Sequence, residues 1–361
     1  MARLTRIRVH RFRNLEDTEW HPLPGRQLVL GANGAGKTSL LEAIYVLATS
    51  RSFRSARLDR CCRYGEEGFF LAGAVDDMEP QDISIGWSRP EGLRRELNER
   101  ETKAAQYLQV LPVVCWWAGQ ATALTGEPRL RRRMIDQGVV GMDSSALAAR
   151  ERFRHVLTAK RETLGRANRR ELAAWNDLFA ASAAEMTRLR ADYVVRLAGA
   201  LGAVLADSEL DLPPVRLRYR PSPPEALEGE ERLRSVLEDH ANEELEKARV
   251  LLGSQRDELL LSWDARALRE GASAGEIKIF GLALTVARAK VLESVGKTPV
   301  LLVDDGDAEL DQKRVEQAWR ILPASLQTLI SSSRREVWNE LGGESVWRLS
   351  KGRIERMGTE I

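Results

Sequence analysis

A sequence pattern that binds phosphate occupies residues 31–38. These residues, Gly-Ala-Asn-Gly-Ala-Gly-Lys-Thr, match the form G-x-x-x-x-G-K-[ST]. In such a loop the backbone N–H groups converge on phosphate oxygens, while the lysine adds positive charge and the threonine hydroxyl reaches Mg²⁺. The alternative is an ordinary glycine-rich turn, which carries none of this chemistry. The pattern predicts a nucleotide site formed by Asn33, Gly34, Ala35, Gly36, Lys37, Thr38 and Ser39.

Two adjacent carboxylates, Asp304 and Asp305, follow the apolar run 300–303. Carboxylates at the end of a buried strand are costly unless a metal ion or a proton compensates their charge. In a parallel sheet this strand ends beside the phosphate loop. We therefore expect Asp304 to hold Mg²⁺ through water and Asp305 to be the general base on the attacking water, with Lys37 as a second catalytic residue.

The acids that follow this strand also alternate in the manner of a calcium-binding loop. They are Asp305, Asp307, Glu309 and Asp311. The spacing and the central glycine of an EF-hand do not fit, and a strand rather than a helix precedes the run. A Walker B strand, which ends in metal-binding carboxylates, is the better interpretation.

A third motif, Ala272-Ser273-Ala274-Gly275-Glu276, precedes a predicted helix and lies about 30 residues before Asp304. It is similar to the signature motif of ABC-type ATPases, whose usual form is LSGGQ. Its chemistry is a serine hydroxyl and a helix N-terminus that are offered to a γ-phosphate. In that class of ATPase the phosphate belongs to the partner subunit, so Ser273 and Gly275 are expected to act across an ATP-dependent homodimer.

The elements that must position these residues alternate between strands and helices. Before the loop, residues 27–30 form a short apolar run, and after it apolar residues recur at helical spacing from Leu40 to Leu47. Further strands are predicted at 4–10, 19–20, 69–75, 83–87, 94–97, 110–116, 215–219, 259–261 and 325–330. Further helices are predicted at 129–206, 227–252 and from 276 onward.

The character of the sequence changes after about residue 126. Leu, Ala and Arg recur without a proline between 129 and 206, which indicates helices, and strand patterns return near 259. We therefore predict an α/β fold with an ABC-type ATPase head at 1–125 and 246–361. Its phosphate-loop sheet is joined by antiparallel strands, and an inserted, mainly helical lobe at 126–245 splits it.

The composition fits a soluble globular protein. Of the 361 residues, 43% are hydrophobic and 30% are charged. No window approaches the roughly 18 apolar residues that span a bilayer, and the N-terminus lacks an apolar signal core, so we expect a cytoplasmic location. The three cysteines, Cys61, Cys62 and Cys115, show neither a disulfide framework nor zinc spacing and are expected to be reduced thiols.

Charge is unevenly distributed although the net charge is only +2. Basic residues dominate 129–170, which is compatible with a face for a phosphate backbone or with an ordinary solvated helix surface. Arg131, Arg132 and Arg133 are the candidates for DNA contact. Alternatively, Arg131 and Arg132 are structural and pair with an acid such as Asp136 across a helix turn.

Taken together, these motifs resemble the RecF family, recombination-mediator ATPases of the SMC-like branch of ABC ATPases. The resemblance covers nearly the whole chain. The segments that carry it are 9–15, 31–44, 51–54, 126–136, 253–259, 301–311 and 328–332.

The resemblance implies binding of ATP and Mg²⁺, an ATP-driven homodimer and slow, DNA-stimulated hydrolysis. It also implies binding to double-stranded and gapped DNA in recombinational repair and replication restart, with RecR and RecO as partners in loading RecA. By resemblance, Arg13 and Asn14 contact the nucleotide base or ribose. Arg54 or Arg57 is a candidate to reach a phosphate, and the alternative is that at least one of them is an ordinary surface arginine.

The sequence departs from the family pattern at several positions. Ala272 and Glu276 replace the usual Leu and Gln of the signature motif. Gly306 follows the second carboxylate and is expected to loosen a turn that larger residues normally fill. A carboxylate near the partner's γ-phosphate is expected to weaken the dimer or to increase its need for Mg²⁺. Gln120 is a candidate for the glutamine that touches Mg²⁺ or water, with an ordinary surface glutamine as the alternative.

Three other functions are compatible with parts of the pattern. The first is an ATP-gated DNA-binding scaffold with little hydrolysis, which the departures favour. The second is an ATPase of the overcoming-lysogenisation nuclease type, but the 50 residues after Asp311 are too few for a nuclease domain. The third, a transporter subunit, is disfavoured by the long helical insertion and by the segment 12–14.

Overall fold

Strands and helices alternate along the chain in the computed structural model, which describes residues 2–208, 210, 212–264, 266–308, 310–338 and 345–357. The strands are β1 Arg3–His10, β2 Thr18–Trp20, β3 Arg26–Leu30, β4 Gly68–Asp76, β5 Gln81–Ser88, β6 Gly92–Leu97, β7 Arg100–Glu101, β8 Val113–Trp116, β9 Val215–Arg220, β10 Glu258–Trp263, β11 Arg266–Ala267, β12 Val300–Val303, β13 Thr328–Ser332, β14 Ser345–Ser350 and β15 Arg353–Arg356. The helices are α1 Lys37–Thr49, α2 Ala104–Val110, α3 Ala118–Thr125, α4 Pro128–Met142, α5 Ala146–Gly165, α6 Arg169–Ala206, α7 Glu230–Asp239, α8 Ala241–Glu246, α9 Leu268–Gly271, α10 Ala274–Glu293, α11 Gln312–Ile321 and α12 Arg335–Trp338.

The chain divides into two compact units. The first unit comprises Met1–Thr122, Ala200–Leu212 and Ser273–Ile361, and the second comprises Ala123–Gly199 and Pro213–Ala272. The second unit begins close to the predicted start of the lobe at 126. It also takes in 246–272, which the sequence analysis assigned to the head, and it leaves out 200–212.

The first unit contains a mixed sheet in the order β15-β14-β3-β13-β12-β8. Strands β14, β3, β13, β12 and β8 are parallel, and β15 is an antiparallel edge. Since parallel strands end at the same edge of a sheet, the loop after β3 and the carboxylates after β12 meet there, with the end of β13 between them.

An antiparallel sheet in the order β2-β1-β4-β5-β6-β7 completes the first unit. Its buried side chains share one hydrophobic core with α1 and with strands of the mixed sheet. On α1, the residues Leu40, Leu41, Ile44 and Leu47 have no exposed surface, as their helical spacing predicts. The rest of α1 after Thr38 is also buried up to Ala48, so the helix is covered on all sides. Because α1 is buried, the phosphate loop at the N-terminus of this helix is held in a fixed position.

The second unit combines helices α4 to α9, of which α6 belongs to it as far as Gly199, with the sheet β11-β10-β9. The single helix predicted over 227–252 is wrong: the chain forms α7 and α8 and then leaves the helix. The contacts of Glu244 fix the turn that follows α8. Its buried carboxylate is 2.7 Å from Lys160 and accepts a 2.7 Å hydrogen bond from the N–H of Leu251. A charged pair buried in this way holds the turn in place.

The strand predicted over 110–116 is shorter than expected. Helix α2 extends through Val110, and β8 begins only at Val113, because Pro112 cannot continue a helix. Among the described residues, the helices are too short or too polar to cross a membrane.

Candidate nucleotide-binding site

The phosphate loop connects the end of β3 to the start of α1 through two positions that require glycine. Gly36 has a φ of 110°, which side chains rarely adopt, and it caps the N-terminus of α1. At Gly31 a Cβ atom would lie 2.3 Å from the Leu349 carbonyl oxygen. The chain can therefore curl tightly and direct the N-terminus of α1, a natural anion-binding position, at the site.

Lys37 is buried at the first position of α1. Its Nζ donates hydrogen bonds to the carbonyl oxygens of Gly31 at 2.7 Å and Ala32 at 3.1 Å. The ammonium group of Lys37 is thus held close to the backbone of the phosphate loop. A phosphate is the kind of ligand that this cation and the N–H groups of the loop can bind together.

Asp304 lies beside the loop in a small cluster of hydroxyl groups. Thr38 Oγ1 donates to Asp304 Oδ1 at 3.0 Å, and Ser331 Oγ donates to the same oxygen at 2.7 Å. Burial raises the pKa of Asp304, and the neighbouring Asp305 adds to this effect, while the two hydroxyl groups oppose it. The sequence analysis gave Ser331 no role, although it follows directly after the strand predicted at 325–330 and lies in the segment 328–332.

Gln120 is buried near the amino end of α3. Only 1% of its surface is exposed, so the alternative of a surface glutamine is wrong. Neither its Oε1 nor its Nε2 atom has a hydrogen-bond partner among the described residues. The strand before it, β8, pairs in parallel with β12, and the Trp116 carbonyl accepts a 2.9 Å hydrogen bond from Asp304 N.

These residues fit a magnesium ion. Hard oxygen ligands are what Mg²⁺ prefers, and Thr38 and Asp304 supply a hydroxyl and a carboxylate. A divalent cation would compensate the charge of a carboxylate that burial disfavours. The unpartnered amide of Gln120 is a third polar group for which the described protein offers no hydrogen bond.

Asp305 follows Asp304 in the left-handed conformation, with a φ of 50°. Its N–H donates to Ser331 Oγ at 2.9 Å, and its carbonyl accepts a hydrogen bond from Lys278 Nζ at 2.5 Å. The backbone of this residue is therefore held from two sides. Lys278, on α10, was not identified from the sequence.

The residue after Asp305 does not loosen the turn. A Cβ atom on Gly306 would lie 2.9 Å from Ile330 Cγ2, and the Gly306 N–H donates to the Ser331 carbonyl at 3.1 Å. Glycine at this position allows the turn to pack closely against β13.

A cavity of about 630 Å³ opens in front of the loop. It is lined by Arg13, Asn14, Asn33, Gly34, Gly36, Lys37, Thr38, Ser39, Arg54, Arg60, Cys62, Tyr64 and Asp305. The structure thus brings together most of the residues predicted to bind the nucleotide, together with Asp305. Ala35 belongs to the same loop, and its N–H donates to the Ala32 carbonyl at 3.1 Å.

Asn14 braces the phosphate loop. Its Nδ2 donates to the Gly34 carbonyl at 2.9 Å, and its Oδ1 accepts from Ser39 Oγ at 2.7 Å. Arg13 beside it donates two hydrogen bonds, of 2.9 and 2.7 Å, to the carboxylate of Glu42. Both residues line the cavity, and contact with a base or ribose stays a prediction.

Glu42, one helical turn after Thr38, is a fully buried carboxylate that the sequence analysis did not identify. Besides Arg13 it accepts hydrogen bonds from Ser52 Oγ at 2.5 Å and from Arg54 at 3.4 Å. Arg54 lines the cavity, and its hydrogen bond to Glu42 attaches it to α1. Arg57 instead pairs with Asp59 at the surface, as the alternative of a surface arginine predicts.

Ser273 and Gly275 do not line this cavity. Ser273 caps the N-terminus of α10, and the carboxylate of Glu276 accepts hydrogen bonds of 2.7 Å from both the N–H and the Oγ of Ser273. The Ser273 side chain donates the hydrogen bond that most lowers the pKa of Glu276. This is a capping box, and its serine is exposed.

In the acidic run after β12, the described side chains are not grouped as metal ligands. Among the described residues, no group of three or more acidic, histidine or cysteine side chains could hold a metal ion. Asp311 caps α11 by accepting a 2.8 Å hydrogen bond from Arg314 N. Glu309, part of the predicted run, lies outside the described residues.

The arginines proposed to contact DNA are engaged within the second unit. Arg131 forms an ion pair with Glu258 and donates to the Gly126 carbonyl at 2.7 Å. Arg132 donates to the Asp257 carbonyl at 2.7 Å, and Arg133 is half-buried. Contacts of this kind favour a structural role for Arg131 and Arg132.

Asp136 pairs with neither of these arginines. Its partner is Arg190 on α6, at 2.8 Å, and the same guanidinium lies 2.8 Å from the fully buried Asp257. The Asp257 carboxylate also accepts hydrogen bonds from Tyr219 and from the Ser222 N–H. Two of the motifs that suggested the resemblance, at 126–136 and 253–259, therefore meet in one buried network.

Comparisons with known proteins agree with this fold. The family model described as "RecF/RecN/SMC N terminal domain" matches residues 3–354 of this chain. The DNA replication and repair protein RecF of Acidothermus cellulolyticus is 31% identical over 91% of this chain and 93% of its own. A solved structure of the recombination mediator protein RecF–ATP in the RecFOR pathway aligns with 99% of this chain over 98% of its own length, with a TM-score of 0.88 at 22% identity.

An Smc head bound to the C-winged helix domain of ScpA covers 99% of this chain and 98% of that chain, with a TM-score of 0.59 at 16% identity. These two likenesses confirm the predicted α/β fold of an ABC-type ATPase head. The match to the family model and the 31% identity to a RecF protein show that the chain belongs to the RecF family of DNA replication and repair proteins.

Proposed function

We propose that this chain binds Mg²⁺ and ATP at the phosphate loop, dimerises on ATP and acts on double-stranded DNA near gaps in recombinational repair and replication restart. The observation that carries the proposal is the hydrogen-bonded cluster of Thr38, Asp304 and Ser331 beside the buried Lys37. It unites both nucleotide motifs, which are 266 residues apart, at one edge of a sheet. The resemblance to a RecF structure with ATP supports the choice of nucleotide.

In this proposal the loop N–H groups and Lys37 bind the phosphates. Thr38 and Asp304 would hold Mg²⁺, which would supply positive charge to the phosphate oxygens, and Gln120 is proposed to bind the same ion or a water. Asn14 keeps the loop closed through Gly34 and Ser39. The roles of Arg13 and Asn14 at the base or ribose and of Arg54 at a phosphate are part of the proposal.

Hydrolysis requires a group that accepts a proton from the attacking water. Asp305 lines the cavity with Lys37 and Thr38, and its backbone is fixed by Ser331 and Lys278. We assign it the role of general base. Turnover is expected to be slow and to be stimulated by DNA.

The dimer would place Ser273 and Gly275 of one subunit at the γ-phosphate bound by the other. Their separation from the cavity supports this arrangement, since they cannot serve the nucleotide of their own subunit from outside the cavity lining. RecR and RecO are the proposed protein partners in loading RecA, and the proposed location is the cytoplasm.

A second candidate function is an ATP-gated DNA-binding scaffold with little hydrolysis. The observation that favours it is the pair of hydrogen bonds from Ser273 to Glu276. One of these bonds comes from the hydroxyl that the partner's γ-phosphate would need.

The variant Asp305→Asn separates the two functions. If Asp305 is the base, the variant keeps its ATP-dependent dimer in sedimentation velocity but loses the release of phosphate in the presence of DNA. Thr38→Ala is the companion variant, because it removes a proposed Mg²⁺ ligand and should weaken both nucleotide binding and dimerisation. Unchanged turnover in Asp305→Asn would contradict the catalytic assignment, and a wild type that dimerises without turnover would establish the scaffold.

A further inference from the structure

A row of exposed arginines lies on one face of strand β9. Arg216, Arg218 and Arg220 alternate with half-buried residues along the strand. The opposite face is turned toward the interior of the second unit, since Tyr219 donates a hydrogen bond to the buried Asp257. Because side chains in a strand alternate between faces, the three guanidinium groups share the outer face. We call these three residues the arginine row.

The neighbours of the arginine row on β10 leave its charge largely uncompensated. In the strand register Leu260 lies beside Arg218 and Ser262 lies beside Arg216. Glu258 lies 3.2 Å from Arg220, and it also pairs with Arg131. In the described part of the chain, Arg216 and Arg218 form no ion pair with a carboxylate.

The geometry of the arginine row suits an extended polyanion. Alternate residues of a strand are about 6.7 Å apart, so the row spans roughly 13 Å. One strand of duplex DNA carries a phosphate for about every 3.4 Å of helix axis, so a row of this length can reach more than one phosphate. The arginine fork also matches the geometry of phosphate oxygens. In addition, β9 is an edge strand of the sheet β11-β10-β9, so no other strand of the described chain pairs with its free edge.

We propose that the arginine row binds the phosphate backbone of double-stranded DNA. The proposal rests on the DNA-binding function proposed above and gives that function a surface. It moves the contact away from Arg131 and Arg132, whose guanidinium groups hold the second unit together. Charged residues on an edge strand also prevent strands of different molecules from pairing, and that role alone requires no contact with DNA.

The test is the salt dependence of DNA binding by the full chain with Mg²⁺ and a non-hydrolysable ATP analogue. Fluorescence anisotropy of a labelled duplex would compare the wild type with Arg216→Gln/Arg218→Gln. Each lost phosphate contact makes the negative slope of log K against log salt shallower by about 0.9, so the slope of the double variant should be shallower by about 1.8. At about 0.1 M salt the affinity should fall roughly 60-fold.

Two further variants control for charge and folding. Arg94→Gln/Arg100→Gln removes two exposed arginines from the edge region of the antiparallel sheet and should leave the slope unchanged. Arg216→Lys/Arg218→Lys keeps the positive charges and should retain most of the slope. A wild-type slope in Arg216→Gln/Arg218→Gln, or an equal loss in Arg94→Gln/Arg100→Gln, would overturn the assignment. A wild type that does not bind duplex DNA would overturn the DNA-binding function together with it.

Discussion

Replacing Glu276 by Gln should strengthen the ATP-dependent dimer. In the isolated chain the Ser273 hydroxyl donates to the Glu276 carboxylate at 2.7 Å. Hydrogen bonding from Ser273 lowers the pKa of Glu276, so the carboxylate is ionised at neutral pH. The hydroxyl must leave this acceptor before it can donate to a γ-phosphate on the partner subunit.

The size of the effect follows from the difference between charged and neutral hydrogen bonds. A bond to a charged group contributes about 1.5–3 kcal/mol, and a neutral one contributes about 0.5–1.5 kcal/mol. The substitution should therefore remove a competing interaction of about 1 kcal/mol at each site. With two sites in a symmetric dimer the sum is about 2 kcal/mol, or roughly a 30-fold lower dissociation constant of the dimer.

The assay is a sedimentation velocity titration with Mg²⁺ and a non-hydrolysable ATP analogue. Gln also suits this position of a capping box, so the melting temperature of the chain should change little. Glu293→Gln, at the other end of α10, removes an exposed carboxylate without touching Ser273 and should leave the dimer unchanged. A dissociation constant for Glu276→Gln that equals the wild-type value, in a normally folded variant, would refute the reasoning.

Three further predictions concern the buried groups. Asp304→Asn should raise the free energy of unfolding of the nucleotide-free chain by about 0.5–2 kcal/mol, measured in urea, while Mg²⁺-dependent ATP binding is lost. The sign follows from the raised pKa of Asp304: its ionised form destabilises the fold, and this cost is present above the folded pKa and absent once the pH falls below 3.8. Arg190→Met should cost about 3–5 kcal/mol in the same experiment, because Asp257 would remain buried without its cation. Gly36→Ala should abolish ATP binding in calorimetry, since φ at this position is 110° and the added Cβ would lie 2.9 Å from Leu15.

The nucleotide motifs could be predicted from the sequence because they are local. The loop at 31–38, the apolar run at 300–303 and the segment 272–276 before a helix each depend on only a few neighbouring residues. Parallel pairing of strands then brings the ends of β3 and β12 to one edge of the sheet. What the pattern did not reveal is that β13 lies between them and that Ser331 joins Asp304 to Asp305.

The arginines illustrate why other parts of the site could not be predicted. Arg131 and Glu258 are 127 residues apart, and Arg190 and Asp257 are 67 residues apart, so their pairing depends on the packing of α4, α6 and β10. A run of basic residues looks the same whether its charges face DNA or a buried carboxylate. The arginine row of β9, by contrast, follows the alternation of a strand, but only the structure places its arginines on the outer face of an edge strand.

The central claim is that Lys37, Thr38 and Asp304 form one half of a nucleotide site that a second copy of the chain completes. Sedimentation velocity of the wild type with ATP alone, with Mg²⁺ alone and with both tests this claim most directly. We predict a monomer with either component alone and a dimer with both. A monomer under all three conditions, with binding of ATP established in the same samples, would contradict the account.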